Sequence, residues 1–173
     1  MISLNLYINS YHKNRKGLAS IFANVIFQVN RKLQIYLQKS SNNKTFSEWR
    51  PSVICISESS FDRYNAYMLL NLISYKYGFG TYLHRIDGYF SKNTYEQANK
   101  ELKKLINNVA VESNNVYIDT IISPSYTSAI AQAIQIPGIS GMENNMVIFE
   151  FDKEAPTGLL DILYNFNLVD AGR

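Results

Sequence analysis

Few residues in this sequence could do chemistry, and most of them stand alone. The 173-residue chain has one cysteine, Cys55, and two histidines, His12 and His84. A single cysteine excludes an internal disulfide and a cysteine-based zinc site, and two histidines leave little for a metal cluster. Cys55 lies within an apolar run, so a buried packing role is expected for its thiol. We therefore expect no metal, no catalytic residue and no enzyme activity.

The carboxylates are scattered along the chain, and no spacing pairs two of them for acid–base catalysis. Asp119 stands out because it interrupts an apolar segment, Val116–Ile122. We expect it at a sheet edge or facing solvent. An enzyme hypothesis remains only if Asp119 and His84 converge in one cleft.

A nucleotide site is the other chemistry to consider. The sequence has neither a Walker A motif nor a G-x-G-x-x-G fingerprint. However, α/β folds bind ligands at the carboxyl ends of their strands, and the loop Ser57, Glu58, Ser59 and Ser60 follows an apolar strand. This loop could contact an adenosine through its backbone. No cofactor is expected, with ATP at this loop as the open alternative.

The elements that would position these residues alternate between strands and helices. Strands are predicted at Ser52–Ser57, Thr81–Ile86, Val116–Ile122 and Met146–Phe151, and helices at Phe61–Tyr77, Thr94–Asn107, Tyr126–Ile134 and Thr157–Phe166. Gly78 and Gly80 are expected to end the first of these helices, and Thr94 to cap the second. Alternation of this kind predicts an α/β fold with a parallel, doubly wound sheet of about four strands.

A long amphipathic helix, Leu18–Gln38, is predicted before the first strand. Its apolar residues recur every three or four positions, which places them on one face. That face must be covered by its own domain, by a second copy or by a partner at a membrane. The residues proposed for the interface are Leu18, Phe22, Val25, Ile26, Val29, Leu33 and Leu37. The polar segment Lys39–Lys44 is expected to be a linker.

Composition narrows the class of protein. A net charge of +3 with 18% charged residues is too weak a basic excess for a dedicated nucleic-acid binder, and 46% apolar residues suffice for a core. Met1–Tyr11 is apolar and runs into the basic cluster His12–Lys16. This resembles the cytoplasmic end of a membrane helix, although a frayed terminal element followed by solvated charges would look the same.

Three segments together resemble the cytosolic C-terminal region of the cation–chloride cotransporter family. The first is Arg15-Lys16-Gly17-Leu18 leading into the long helix, and the second is Trp49-Arg50-Pro51 before an apolar strand. The third is Gly138-Ile139-Ser140-Gly141-Met142-Glu143-Asn144-Asn145, which precedes a later strand. The resemblance covers nearly the whole chain, and its second and third segments are the more specific ones.

The resemblance implies a layout in three parts. Residues 1–16 would be the end of the last membrane helix with its basic juxtamembrane segment, and residues 17–45 the linking helix and linker. Residues 46–173 would be the first lobe of a domain with a universal-stress-protein-like, Rossmann-like fold, in a chain cut from something longer. In that family the linking helix crosses its copy from a second subunit, which gives the apolar face a partner.

The function implied is regulation and dimerisation of a cation–chloride cotransporter at the cytoplasmic face of the cell membrane. The membrane domain of the same transporter would carry the ion path. Expected partners are that membrane domain, a second copy, and the membrane surface next to residues 1–16, with no nucleic acid. The alternative is a stand-alone, universal-stress-protein-like nucleotide-binding domain.

Overall fold

The computed structural model describes residues 18–41, 49–58, 60, 64–109, 115–136, 138, 144–150 and 158–171. The chain divides into two compact units, Met1–Phe46 and Ser47–Arg173. The first unit contributes one described helix, and the second contributes a sheet with four helices.

Helix α1 spans Leu18–Ser41. It begins at the predicted residue but continues three residues beyond Gln38, so the prediction of a linker from Lys39 is wrong for Lys39–Ser41. Serine and lysine cost little in a helix, and a lysine in the last turn interacts favourably with the negative end of the helix dipole.

The described residues of the second unit form four parallel strands, as predicted. They are β1 (Ser52–Ser57), β2 (Phe79–Asp87), β3 (Val116–Ser123) and β4 (Met146–Phe149), in the spatial order β3-β2-β1-β4. Every residue of β1 is buried. A central strand covered on both faces explains the continuous apolar run in its sequence.

The connections make the sheet doubly wound. Helices α2 (Tyr64–Ser74) and α3 (Lys92–Val109) carry the chain from β1 through β2 to β3. Helix α4 (Tyr126–Gln135) then returns the chain past β1 to β4, and α5 (Leu159–Ala171) follows. The strand order therefore reverses between β1 and β4, which is the topological switch point of such sheets.

Alternate residues of β1 feed two separate cores. On one face Val53 and Cys55 pack with Tyr67 and Leu70 of α2. On the other face Ile54 and Ile56 pack with the α4 residues Ala129, Ile130, Ala133 and Ile134. The alternation follows from the two-residue period of a strand, and it places α2 and α4 on opposite faces of the sheet.

Gly80 does not end α2, contrary to the prediction, but lies inside β2. A Cβ added there would collide with the Ser74 hydroxyl and approach Leu70 Cδ1 to 3.2 Å. The missing side chain thus lets α2 pack closely on the sheet. Helix α2 itself ends at Ser74 instead of Tyr77, and a turn follows in which Lys76 has a positive φ of 70°.

The start of α3 also differs from the prediction. Ser91, not Thr94, is the capping residue, because Ser91 Oγ accepts the Thr94 amide at 3.2 Å. The Ser91 amide in turn donates to Thr94 Oγ1 at 2.9 Å. Two N–H groups are satisfied reciprocally, as in a capping box.

Candidate functional site

A group of buried and half-buried polar side chains lies on one face of the sheet, at the carboxyl ends of its strands. We call it the switch-point cluster: Ser57 of β1, Ser60 of the following loop, Tyr82 and His84 of β2, and Glu150 just after β4. Ser57 is paired with His84 across β1 and β2. Ile56 pairs with Phe149, which brings Glu150 alongside Ser57.

Ser57 and Glu150 form the first polar pair of the cluster. The fully buried Ser57 hydroxyl donates to Glu150 Oε2 at 3.0 Å. The Glu150 carboxylate also acts on Cys55, one pleat below Ser57. Burial, reinforced by the Glu150 charge, raises the pKa of the Cys55 thiol to about 12. A thiol with that pKa is protonated at neutral pH, which disfavours nucleophilic use. The expected packing role is confirmed, because Cys55 is fully buried in the core beside Val53.

Ser60 and His84 form the second pair, with 2.8 Å between Ser60 Oγ and His84 Nδ1. His84 is buried, and burial lowers its pKa. Glu101 of α3 opposes this shift, whereas the Arg85 charge adds to it. The pair has the spacing of a nucleophile and its base. Acyl transfer would also require donors aimed at an oxyanion, so the pair alone is not a catalytic centre.

Tyr82 lies between these two pairs. Burial raises the pKa of its phenol, and the Ser57 and Ser60 side chains act in the opposite direction. Nevertheless, within the described structure the Tyr82 hydroxyl is buried without a hydrogen bond of good geometry. The cluster therefore contains one buried polar atom that a small rearrangement or a bound group could satisfy.

Arg85 ties the loop after β1 to the ends of β2 and β3. Its Nε forms an ion pair with Glu58 Oε1 at 2.5 Å, and its Nη1 donates to Asp87 Oδ1 at 2.8 Å. Nη1 also donates to the Ser123 carbonyl at 2.8 Å. Two carboxylates thus neutralise the one guanidinium in this region, which leaves it poorly suited to hold a phosphate.

Tyr126 closes the switch point from the opposite face. Its hydroxyl donates to the Ile56 carbonyl and accepts the Glu150 amide, both at 2.7 Å. Burial strongly raises the pKa of this phenol. A single side chain at the start of α4 therefore bridges the backbones of β1 and β4 where the two strands diverge.

The loop predicted to contact a nucleotide lies at this switch point, but its side chains are engaged within the protein. Ser57 bonds Glu150, Glu58 pairs with Arg85, and Ser60 contacts His84. Ser59 lies outside the described residues. A nucleotide would therefore have to use main-chain groups here or break these pairs.

His84 and Asp119 do not converge, so the enzyme hypothesis built on them is wrong. Asp119 pairs with Leu83, the neighbour of His84, and paired residues point to the same face. The two side chains therefore lie on opposite faces of the sheet. The expectation that Asp119 occupies an edge is confirmed, because β3 is an outer strand of the described sheet.

The sequence shows each polar residue of the cluster, but it does not show which of them contact one another in the fold. Glu150 and Tyr126 are the functional candidates that sequence reasoning missed. Glu150 lies 93 positions from Ser57, and only the register of β1 with β4 brings them together. A signal was nevertheless present, because Glu150 lies near the carboxyl end of one predicted strand and Tyr126 begins the predicted helix that follows another, at the edge where ligands bind.

The apolar face predicted for α1 is exposed over most of its length. The exposed fractions are 65% for Phe22, 66% for Ile26, 51% for Val29 and 55% for Leu33. Val25 is 40% exposed and Leu37 is half-buried, whereas the side chain of Leu18 lies outside the described residues. Phe27, Ile35 and Tyr36 are exposed as well, so the apolar surface is wider than the predicted stripe.

The second and third segments of the resemblance meet in space. Asn145 Nδ2 donates to the Arg50 carbonyl at 2.7 Å, and Asn145 Oδ1 accepts the Ser52 amide at 2.9 Å. The backbone amide of Asn145 also donates to the Ser52 carbonyl at 3.0 Å. One asparagine therefore fixes the amino end of β4 to the entry of β1.

An apolar recess of about 170 Å³ lies between α4, β4 and α5, on the face of the sheet opposite to the switch-point cluster. Its lining is Ile130, Val147, Phe149, Ile162 and Leu163.

Across the part of the chain that the structure describes, no group of histidine, cysteine and acidic side chains could hold a metal ion. Nor does any helix in the described ranges combine the length and apolarity needed to cross a membrane.

No protein-family model matches the chain, and the search of curated proteins finds none that matches it.

Proposed function

We propose that this chain is the regulatory and dimer-forming cytosolic domain of a cation–chloride cotransporter. Its role would be to hold two transporter subunits together and to transmit conformational bias to their membrane domains. The proposal starts from the sequence resemblance. It is supported by the parallel α/β fold and by the contact of Asn145 with Arg50, which makes one structural unit of the two most specific segments.

The observation that carries the proposal is the exposed apolar face of α1. Side chains such as Phe22, Ile26 and Leu33 are more than half exposed, and a contiguous exposed apolar surface marks an interaction site. Burying each of them fully would contribute on the order of 1.5–3 kcal/mol before the ordering costs of association. A second copy of α1 would offer an identical face across a two-fold axis.

The test is a charge placed at the centre of that face. Val29→Asp should convert a dimer into a monomer, measured as mass in solution by light scattering. Asn24→Asp is the matched control, because Asn24 is exposed on the polar side of the same helix. It should leave the mass unchanged. A monomeric parent chain, or equal masses for the parent and Val29→Asp, would contradict the proposal that α1 forms the dimer interface.

A second candidate function is binding of an adenine nucleotide, favoured by the strand-order reversal between β1 and β4. The switch-point loops are where such folds bind ligands. Calorimetry with ATP and AMP decides this. Sub-millimolar binding that is weakened by replacing Ser60 with alanine would favour a nucleotide module of the universal-stress-protein type. If millimolar ATP gives no heat of binding, nucleotide binding is excluded as a function.

A further inference from the structure

The positive charge of this chain is concentrated at its amino-terminal end. Seven lysine or arginine residues precede Glu48, the first acidic residue of the sequence. The first 47 residues therefore carry +7, whereas the remaining residues carry −4. The modest overall charge of +3 conceals this asymmetry. A single-sign segment of this kind is a footprint for an anionic surface.

Helix α1 presents part of this charge beside its apolar face. Val25, Lys32 and Lys39 are spaced by seven residues, which is close to two turns, so they form one column along the helix. That column borders the face that contains Phe22, Ile26 and Val29, and both lysines are exposed. Arg31 lies on the opposite side. Helix α1 contains no acidic residue that could pair with either lysine within the helix.

We propose that the Lys32–Lys39 side of α1 binds the headgroups of an anionic lipid surface. Lysines at the border of an apolar face can extend their ammonium groups toward headgroups while their methylene stems stay against apolar surface. Each lysine near such a surface contributes a salt-sensitive attraction. A nucleic acid would also satisfy the charges, but a lipid surface offers both anionic groups and an apolar layer to lysines that flank apolar side chains, so lipid is the better fit.

Co-sedimentation with vesicles tests the proposal on the full 173-residue chain. The chain should bind vesicles of phosphatidylcholine and phosphatidylglycerol (3:1), bind pure phosphatidylcholine weakly, and dissociate as salt is raised. Lys32→Gln/Lys39→Gln should weaken binding to the anionic vesicles by about tenfold or more. Lys100→Gln/Lys103→Gln is the matched control, because it removes the same charge from the exposed side of α3, and it should bind like the parent chain.

Three results would overturn the proposal. They are no preference for anionic vesicles, an equal loss in the α3 control, and equally tight binding to a DNA duplex at the same ionic strength. Measuring the mass of each lysine variant in solution distinguishes a loss of lipid binding from a loss of dimerisation. A variant that loses vesicle binding but keeps the mass of the parent chain supports the lipid surface whether or not α1 forms the dimer interface.

Discussion

At the level of single residues, the switch-point cluster makes His84 a pH-sensitive position. Its pKa in the folded protein lies below the ordinary 6.5, because burial disfavours the imidazolium. The unfolded chain therefore binds more protons than the folded chain at mildly acidic pH. The stability that neutral His84 provides is fully present above about pH 6.5 and is lost as the pH falls toward the lowered pKa.

We therefore expect the free energy of unfolding to fall between pH 7.5 and pH 5.5, measured by urea denaturation followed by circular dichroism. His84→Gln keeps a polar side chain near Ser60 but cannot titrate, so it should flatten that part of the profile. An identical slope for the parent and His84→Gln would show that other groups cause the acid sensitivity.

Cys55 gives a second prediction for one side chain. Because its pKa is raised to about 12 and the residue is fully buried, the thiol should resist iodoacetamide at pH 8 in the folded protein. Alkylation should become rapid in urea, where the thiol returns to its ordinary pKa. Mass spectrometry of timed samples measures both rates. Rapid modification without denaturant would mean that β1 opens locally.

Asn145 is the third residue with a measurable role. Asn145→Ala should lower the free energy of unfolding by about 1–3 kcal/mol, because the Ser52 amide and the Arg50 carbonyl lose their partner. Asn144→Ala is the natural comparison. Asn144 makes longer side-chain hydrogen bonds, of 3.4 Å with Ser52 Oγ and 3.2 Å with the Ile136 carbonyl. Its replacement should therefore lower the free energy of unfolding by less. An equal loss of unfolding free energy in the two variants would show that the hydrogen bonds of Asn145 make no special contribution.

At the level of secondary structure, the presence and order of the strands were more readable from the sequence than the ends of the helices and strands. The run Ser52–Ser57 predicted a strand buried on both faces, and β1 has those bounds and that burial. Helix ends were misjudged where glycine or threonine served another purpose. Gly80 resembled a helix terminator, yet it is a close-contact position in β2. Thr94 resembled a cap, yet it is the reciprocal partner of Ser91.

The polar contacts of the candidate site could not be read in the same way, for a physical reason. Parallel strands are joined by long crossovers, so the pairs Ser57–Glu150 and Ser60–His84 depend on register and strand order. Neither quantity is fixed by local hydrophobic periodicity. The edge position of Asp119 was predictable because an outer strand tolerates a carboxylate within an apolar run more readily than an inner strand does.

Gly80 provides a test at this level. Gly80→Ala should destabilise the fold by about 1–3 kcal/mol, because the added methyl group overlaps Ser74 and crowds Leu70. Replacing Ser74 with glycine in the same chain removes the collision and should recover part of the loss. Thermal unfolding of the single and double variants measures the coupling. Strict additivity of the two changes would argue against direct contact between β2 and α2 at this point.

For the whole molecule, the order β3-β2-β1-β4 has a consequence for how the fold assembles. The first three strands are joined by successive crossovers, whereas Asn145 and Ser52 must meet across 93 residues. Closing that loop carries the largest entropic cost, and only four residues of β4 are available to offset it. We therefore expect β4 to dock late during folding. Its backbone amides should exchange with deuterated solvent before those of β1 and β2. The exchange would occur through partial unfolding in which β4 detaches while β1, β2 and β3 stay paired.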